Sequence, residues 1–266
     1  MKATPSDVII LGWGDLGIAL MIMVGLIALD RVLRLYLGKD MAVGTVRNFL
    51  QLYLVGFILK WVFHINHPLL ILLMLVVMTL IAGQNAAKRS GDLSLKTFVY
   101  ASGILFIGTM VTIVVVVDIV VGVTPYYNPQ YVIPMFGMAL NGAMNGVTLG
   151  VKNLRNSTKD NVEKINCALA LGATGSQSIN PIAQSATRLA LIPMVNGLMT
   201  AGVVQLPGMM TGQIIAGLDP TLAIRYQIVV YYMLAMSTFL CTVVAVKLYA
   251  RTLFTRHHQL IPFWSK

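Results

Sequence analysis

The chain has 266 residues, of which 57% are hydrophobic and 11% charged, with 19 Lys and Arg against 9 Asp and Glu. Several apolar runs reach about 20 residues, enough to cross a hydrocarbon core of roughly 30 Å, and the remainder is too short for a separate soluble catalytic domain. The net charge of +10 is spread over short loops rather than gathered on a soluble module, which excludes a nucleic-acid partner.

In chain order, hydropathy predicts seven spans: Val8 to Leu29, Val46 to Phe63, Pro68 to Asn85, Phe98 to Val121, Tyr131 to Val151, Arg188 to Gln205 and Ala223 to Tyr249. The second carries Arg47, Gln51 and Lys60, and the sixth is interrupted by Pro193, Asn196, Gly197 and Gly202. The expected fold is therefore all-α, a polytopic transmembrane helical bundle of about seven spans forming one membrane domain over residues 1–266.

Basic residues set the orientation, because Lys and Arg of short loops are retained on the cytoplasmic side. With the N-terminus out and the C-terminus in, the cytoplasmic set holds 16 of the 19 basic residues, and only Lys2, Lys60 and Arg225 fall on the other side. No basic segment precedes the first span and no small-residue cleavage site follows it, so it reads as a retained helix. Cys167 and Cys241 fall near the cytoplasmic side, where thiols stay reduced, and neither has metal-ligand spacing.

Residues 153–187 form a polar island in this lipid-soluble sequence. Asp160 and Glu163 have the spacing of a capping box, predicting a helix from about Asn161 with Val162, Ile165 and Leu169 on its apolar side. Gly172 is a natural stop, and Thr174 to Gln177 repeats the capping spacing to start a second helix through Pro181, where a kink or a late start is expected. A structured cytoplasmic helix is not needed merely to cross lipid. It can connect two spans, or its small residues can let a second protein approach the backbone closely.

The segment Ala168-Leu-Ala-Leu-Gly-Ala-Thr174, following Glu163, resembles the coupling helix of ABC-transporter permeases, which docks into the ATP-binding subunit. Downstream, Arg188-Leu-Ala-Leu-Ile-Pro193, Leu206-Pro-Gly-Met-Met-Thr-Gly-Gln213, Ala216-Gly-Leu-Asp-Pro220 and Tyr226-Gln-Ile228 are similar to the bacterial iron-export permease family (FetB type), whose plant relatives are linked to aluminium tolerance. Arg47 to Gly56, Asn85-Ala-Ala-Lys-Arg-Ser90, Ile133-Pro-Met-Phe-Gly-Met138 and Arg256-His-His-Gln-Leu260 extend the resemblance over essentially the whole chain. One departure is Asn141-Gly142-Ala143-Met144, whose amide is displaced by one position. That is about 100° on a helix and argues against a direct role for Asn141.

The resemblance implies a permease of the inner (plasma) membrane that works as a pair with a second copy of itself. It implies no ATPase activity of its own, and two ATP-binding subunits holding ATP and Mg beneath. It implies a coupling segment of Glu163, Ala168, Leu169, Ala170, Leu171, Gly172, Ala173 and Thr174. Independently, the chain contains no Gly-x-x-x-x-Gly-Lys-Ser/Thr loop, so any ATP-driven motor is a different polypeptide.

Polar groups within the spans are candidates for a translocation path or gate, since a charge at mid-bilayer costs roughly 2.5 to 3.5 kcal/mol unless it faces a partner or water. Asp15 stands at the outer part of the first span, as a cation-attracting mouth or as a solvated interface residue. Arg47 and Gln51 share one helical face, as do Asn141 and Asn145, lining a polar route or joining helices. Asn85 and Asn196 complete the amides, Asn196 in the broken sixth span. Asp118 interrupts the fourth span and fits a local pairing role.

Pro207, Gly208, Met209, Met210 and Gln213 form a bent outer segment and a candidate outer gate. Methionine thioethers prefer soft ions, but methionine is also flexible packing material. His64 and His67 flank Asn66 in a turn, without a carboxylate partner to make a metal site. No metal ligand set and no cofactor of this chain follow from these residues.

The leading function is the membrane subunit of an exporter for iron or another metal. A non-metal cargo, such as a sugar nucleotide or a lipid-like molecule, is compatible with the same residues. So is a stand-alone carrier or channel worked by Asp15 and Asp118, although no inverted repeat is visible. An intramembrane enzyme has no supporting constellation.

Overall fold

Helix ends fall where the sequence supplies caps. The computed structural model describes residues 12–91, 94–122, 125–255, 257 and 259–261. The helices are α1 (Trp13–Leu33), α2 (Gly38–Ile65), α3 (Pro68–Ser90), α4 (Leu95–Val114), α5 (Pro129–Asp160), α6 (Val162–Ala170), α7 (Gly175–Thr200), α8 (Gly208–Ile215) and α9 (Pro220–Thr252), with no named strand among the described residues.

Proline opens α3, α5 and α9, where its missing N–H costs nothing. His67 Nδ1 accepts from Leu69 N, so this histidine is the cap of α3. Asp219 caps α9, accepting from the N–H of Thr221 at 2.8 Å and from its hydroxyl. These bonds, the hydroxyl first, hold its carboxyl below the usual carboxylate range. The cap is complete above that range and weakens only as pH falls through the lowered value.

Six helices, α1 to α5 and α9, are long and apolar enough to cross a membrane, α4 being counted with the π-helical segment Val115–Val121 that extends it. The expected count was about seven. The predicted span from Arg188 to Gln205 instead lies on α7, which begins earlier, at Gly175, and ends at Thr200. Its polar first half and the turn that follows dilute the apolar stretch.

Other boundaries moved as well. Helix α2 begins at Gly38, ahead of the expected Val46, and α1 runs to Leu33. Residues 8–11 of the first predicted span lie outside the described residues. The widened π segment near the outer end of α4, with Asp118 exposed on it, was not anticipated.

The bundle is organised around α5, which packs most extensively on α9 and then on α7, α3 and α4. The close contact with α9 has a simple origin. Gly142, Gly146 and Gly150 recur every four residues on one face of α5. A Cβ built on them would lie 2.7 Å from Thr238 Oγ1, 2.2 Å from Thr242 Oγ1 and 2.7 Å from Val246 Cγ2 respectively. The partner residues also recur every four on α9, so two matched stripes run face to face. This is the small-residue packing by which membrane helices gain van der Waals contact without a hydrophobic driving force. Around the seam lies the core, with Phe136, Leu105, Ala139 and Met233 fully buried.

Helices α1 and α2 form a hairpin whose turn is held by Asp30, 6% exposed, which accepts from Leu37 N at 3.1 Å and Gly38 N at 2.7 Å. The hairpin touches the rest of the bundle mainly through the last turns of α2, where Val62 is buried and Leu59 and Phe63 pack on the core. Most of α2 has no cover.

The basic helix ends are gathered at one end of the molecule. Arg155, near the end of α5, donates to the Gly91 carbonyl at the end of α3, 2.7 Å away. At the same end Leu154 of α5, Ile179 of α7 and Leu253 after α9 form a separate small core.

Candidate functional site

Helix α6 follows α5 after a break at Asn161 and turns back against the bundle. The expected capping box at Asp160 is not formed. Asp160 is the last residue of α5, Asn161 is the cap, and the Asn161 amide donates instead to Ser157 O at 2.8 Å. Physically, α5 extends one residue too far for Asp160 to adopt the extended cap geometry.

The predicted apolar side is the buried one: Ile165 is 1% exposed, and Val162 and Leu169 are half-buried. Glu163, Cys167, Ala170, Leu171, Gly172 and Thr174 face outward, while Ala168 and Ala173 are half-buried.

Gly172 ends α6 in the left-handed conformation, with φ +91°. Its N–H donates to Leu169 O, and the Ala173 N–H reaches back to Ala168 O, both at 3.0 Å. This pairing satisfies carbonyls that a helix end otherwise leaves open. It also pushes Leu171 to the tip of the turn, 85% exposed.

The second capping box is formed as expected, Thr174 Oγ1 accepting from Gln177 N at 3.3 Å and Gln177 Oε1 from Thr174 N at 2.9 Å. Thr174→Ala should lower stability by about 1 kcal/mol, checked by thermal unfolding in detergent. The helix then runs unbroken from Gly175 through Pro181 and Pro193, so the late start expected at Pro181 does not occur.

The tip is braced by the end of the chain. Phe254 pairs with Leu260 across a short antiparallel bridge, closed by Thr255 N to Gln259 O and Ile261 N to Leu253 O, both 2.9 Å. The Phe254 ring lies against Gly175, where an added Cβ would come within 2.8 Å of it. Between this hook and α6 is a concavity of about 440 Å³ lined by Asn166, Leu169, Ala170, Ala173, His257 and Gln259. The sequence did not link the hook to α6, because the contact joins residues far apart in the chain.

Within the bundle, a second cleft of about 350 Å³ opens between α5, α7 and α9. Asn141, Asn145 and Met138 line it from α5, Met194 and Gly197 from α7, and Tyr231 from α9. Asn141 and Asn145 line the cleft together, one helical turn apart on the shared face expected for them. Asn196 is exposed on α7 next to Gly197, which lines the cleft, and its carbonyl accepts from Thr200 Oγ1 at 2.8 Å.

The other expected path residues lie elsewhere. Asp15 is exposed, its carboxylate accepting from Gly12 N at 2.8 Å as the start of α1. Asn85 is half-buried on α3, and its amide donates back to Ile81 O at 3.0 Å. Arg47 and Gln51 are exposed on the uncovered part of α2.

The bent outer segment is a short helix, α8, introduced by Pro207 and Gly208 and packed on α9. Met209 reaches the core, Met210 is half-buried, and Gln213 has a buried Oε1 without a hydrogen-bond partner. Gln227 on α9, 7% exposed, has the same orphaned oxygen. It was not singled out from the sequence, although it stands in the Tyr226-Gln-Ile228 run. Buried acceptors of this kind cost about 1 to 3 kcal/mol each until a donor arrives. Among the described residues no three His, Cys, Asp or Glu side chains converge as a metal site.

Comparison with known proteins covers nearly the whole chain. It is 36% identical over 247 residues to the probable iron export permease protein FetB of Escherichia coli, spanning 93% of this chain and 94% of that protein. It is 37% identical over 224 residues to the membrane protein YjkA of Bacillus subtilis, 84% of this chain and 87% of YjkA. It is 32% identical over 242 residues to ALUMINUM SENSITIVE 3 of Arabidopsis thaliana, 91% of this chain and 87% of the plant protein. No solved structure matches it. The model of the uncharacterised protein family UPF0014 matches residues 13–254, from the first turn of α1 to the ring that braces the tip, and the chain is a member of that family of helical membrane proteins.

Proposed function

We propose that this chain is the membrane-spanning permease subunit of an ATP-driven exporter and is not itself an enzyme. The observation that carries the reading is the braced tip: a short helix presenting Leu171 on a fixed turn and packed on α5 and α7. Force applied there is delivered directly to the helices that line the Asn141–Asn145 cleft. ATP and Mg belong to a separate ATP-binding subunit. Its closure would move α6 and reopen the cleft toward the other side, an alternating-access cycle.

Orientation follows the charge. Lys96, Arg155 and Arg251 lie at the tip end of the bundle, which supports a reading with the tip and C-terminus in the cytoplasm, the N-terminus outside, and the protein in the plasma (inner) membrane. An odd number of crossings then requires α7 to traverse as the seventh. Its geometry suits that, since Gly175 packs at Phe254 at one end and Gly197 shares the cleft with Tyr231 toward the other; at 26 residues it is about 39 Å long.

A second copy explains the exposed α1–α2 hairpin. Arg47 faces no partner helix within one chain and would cost roughly 2.5 to 3.5 kcal/mol against lipid. It lies about eight residues, or roughly 12 Å, beyond Lys39. Asn145 and Asn196 lie at nearly the same depth beyond Lys152 and Arg188. The hairpin of one copy would therefore lay its Arg47–Gln51 face beside the other copy's amides.

For the cargo, iron is suggested by the printed name of the Escherichia coli relative. The cleft itself offers amide oxygens, thioethers and a phenol, whereas Fe(II) usually takes imidazole and carboxylate. That donor set favours a second reading in which the same permease moves a non-metal cargo.

Reconstitution of the chain alone and together with a candidate ATP-binding-cassette subunit separates these readings. Transport that requires the ATPase, with ATPase activity raised by Fe(II), supports iron export. Transport by the chain alone would overturn the ATP-driven mechanism. In this system Asn145→Leu should reduce transport at least tenfold while the melting temperature stays within a few degrees of wild type.

A further inference from the structure

A cavity of about 520 Å³ belongs to neither the tip nor the Asn141–Asn145 cleft. It lies between α4 and α9, with α3 and α5 as its floor. Its inner wall is apolar: Ala86, Ala101, Ile104, Val147, Val151 and Ala245. Its rim is polar and positively charged. Lys96 stands at the start of α4 and Arg251 at the end of α9, both exposed, with the hydroxyls of Ser94, Thr97 and Thr252 beside them. Among the described residues no carboxylate lines it. Asp92 lies outside the described residues.

The two kinds of surface are stacked along the membrane normal. From Lys96 to Ile104 is about 12 Å along α4, and from Arg251 to Ala245 about 9 Å along α9. A cationic ring at the basic end of the helices therefore leads, over the depth of a headgroup and the first methylenes, into an apolar slot. Tyr100 and Leu248, both partly exposed, flank the opening toward lipid. A soluble anion has no use for the slot, and a neutral lipid has no use for the rim. Basic pockets between membrane helices on the cytoplasmic side suit anionic lipid headgroups.

From this we infer that the α4–α9 cavity binds one anionic phospholipid of the inner leaflet, its phosphate at Lys96 and Arg251 and the upper part of one acyl chain in the slot. The lipid would tie α4 to α9 and so support the seam on which α5 moves. The choice of leaflet rests on the orientation proposed above; the binding itself depends on the cavity alone and stands whether or not the chain transports anything.

The test uses the full chain in mild detergent, with dioleoylphosphatidylglycerol and dioleoylphosphatidylcholine as probes, read by native mass spectrometry and thermal unfolding. One phosphatidylglycerol per chain should be retained at least tenfold more than phosphatidylcholine and should raise the melting temperature by several degrees. Lys96→Glu combined with Arg251→Glu should abolish both effects. Leu248→Trp, placed at the mouth where it disturbs no core contact, should abolish retention while the lipid-free melting temperature is unchanged. Equal retention of the two lipids, or phosphatidylglycerol binding that survives both variants, would overturn the inference. So would displacement of the lipid by millimolar inorganic phosphate, which would mark a site for the free anion.

Discussion

Replacing Gly146 with leucine should give a chain that enters the membrane and fails to pack, because the seam between α5 and α9 has no room for it. Even the first carbon of the new side chain would meet Thr242 Oγ1 at 2.2 Å and Thr238 Cγ2 at 3.0 Å. Both neighbours are buried, and Gly142 and Gly150 on either side hold the two helices at the same close separation. Relief therefore requires α5 and α9 to separate along their whole contact, which also opens the cleft and the core around Phe136. Overpacking a membrane seam in this way should cost about 3 kcal/mol or more, seen as loss of the cooperative melting transition and aggregation during size-exclusion chromatography.

A milder series makes the cause specific. Gly146→Ala should destabilise by about 1 to 2 kcal/mol. Adding Thr242→Ala should recover most of that, since it removes the clashing oxygen, which has no hydrogen-bond partner of its own. A Gly146→Leu protein that melts like wild type would show that the seam is not the close contact seen here.

At the tip, Leu171→Asp should abolish association with the proposed ATP-binding subunit and leave the fold intact. Leu171 is 85% exposed and makes no core contact, so the substitution should change stability by less than about 0.5 kcal/mol. An aliphatic side chain held at the apex of a rigid turn is the kind of group that fills a partner's pocket, and a carboxylate cannot enter such a pocket without losing its hydration. Co-purification of the ATPase should fall at least tenfold, and ATP-dependent transport with it.

Gly172→Val complements this. At φ +91° a β-branched residue is strained by about 1 to 2 kcal/mol, so the turn should refold and redirect Leu171. ATP hydrolysis should then persist without transport. If Leu171→Asp supports normal co-purification and transport, the tip is only a connector and the proposed mechanism fails.

The two variants rest on features of different legibility. Gly172, the Thr174 cap and the buried side of α6 were readable because a helix end is a local event: the residues that specify it lie within five positions of one another. The outer helix α8 was foreshadowed by Pro207, Gly208 and Gly212 for the same reason. Asp160 shows the limit of that reasoning. Its spacing to Glu163 fits a capping box, but whether it caps α6 or ends α5 depends on how far the long helix is carried by its own packing.

The glycine repeat of α5 was present in the sequence but carries no meaning until its partner is known. Thr238, Thr242 and Val246 lie roughly ninety residues further on, and nothing local pairs the stripes. The same holds for Asn141 and Asn145, which could equally have faced lipid, a neighbouring helix or a cleft.

Composition, hydropathy and local caps thus determined that the chain is a helical membrane protein, roughly where its helices run, and where the turn at Gly172 sits, because lipid imposes helix on any long apolar segment and caps act over a few residues. Only the tertiary structure decided which faces meet. It set Gly146 against Thr242, Phe254 against Gly175 and Lys96 and Arg251 on the rim of one cavity, and it left most of α2 uncovered. Such pairings join residues distant in the chain, and close packing, which is a property of two surfaces together, selects them.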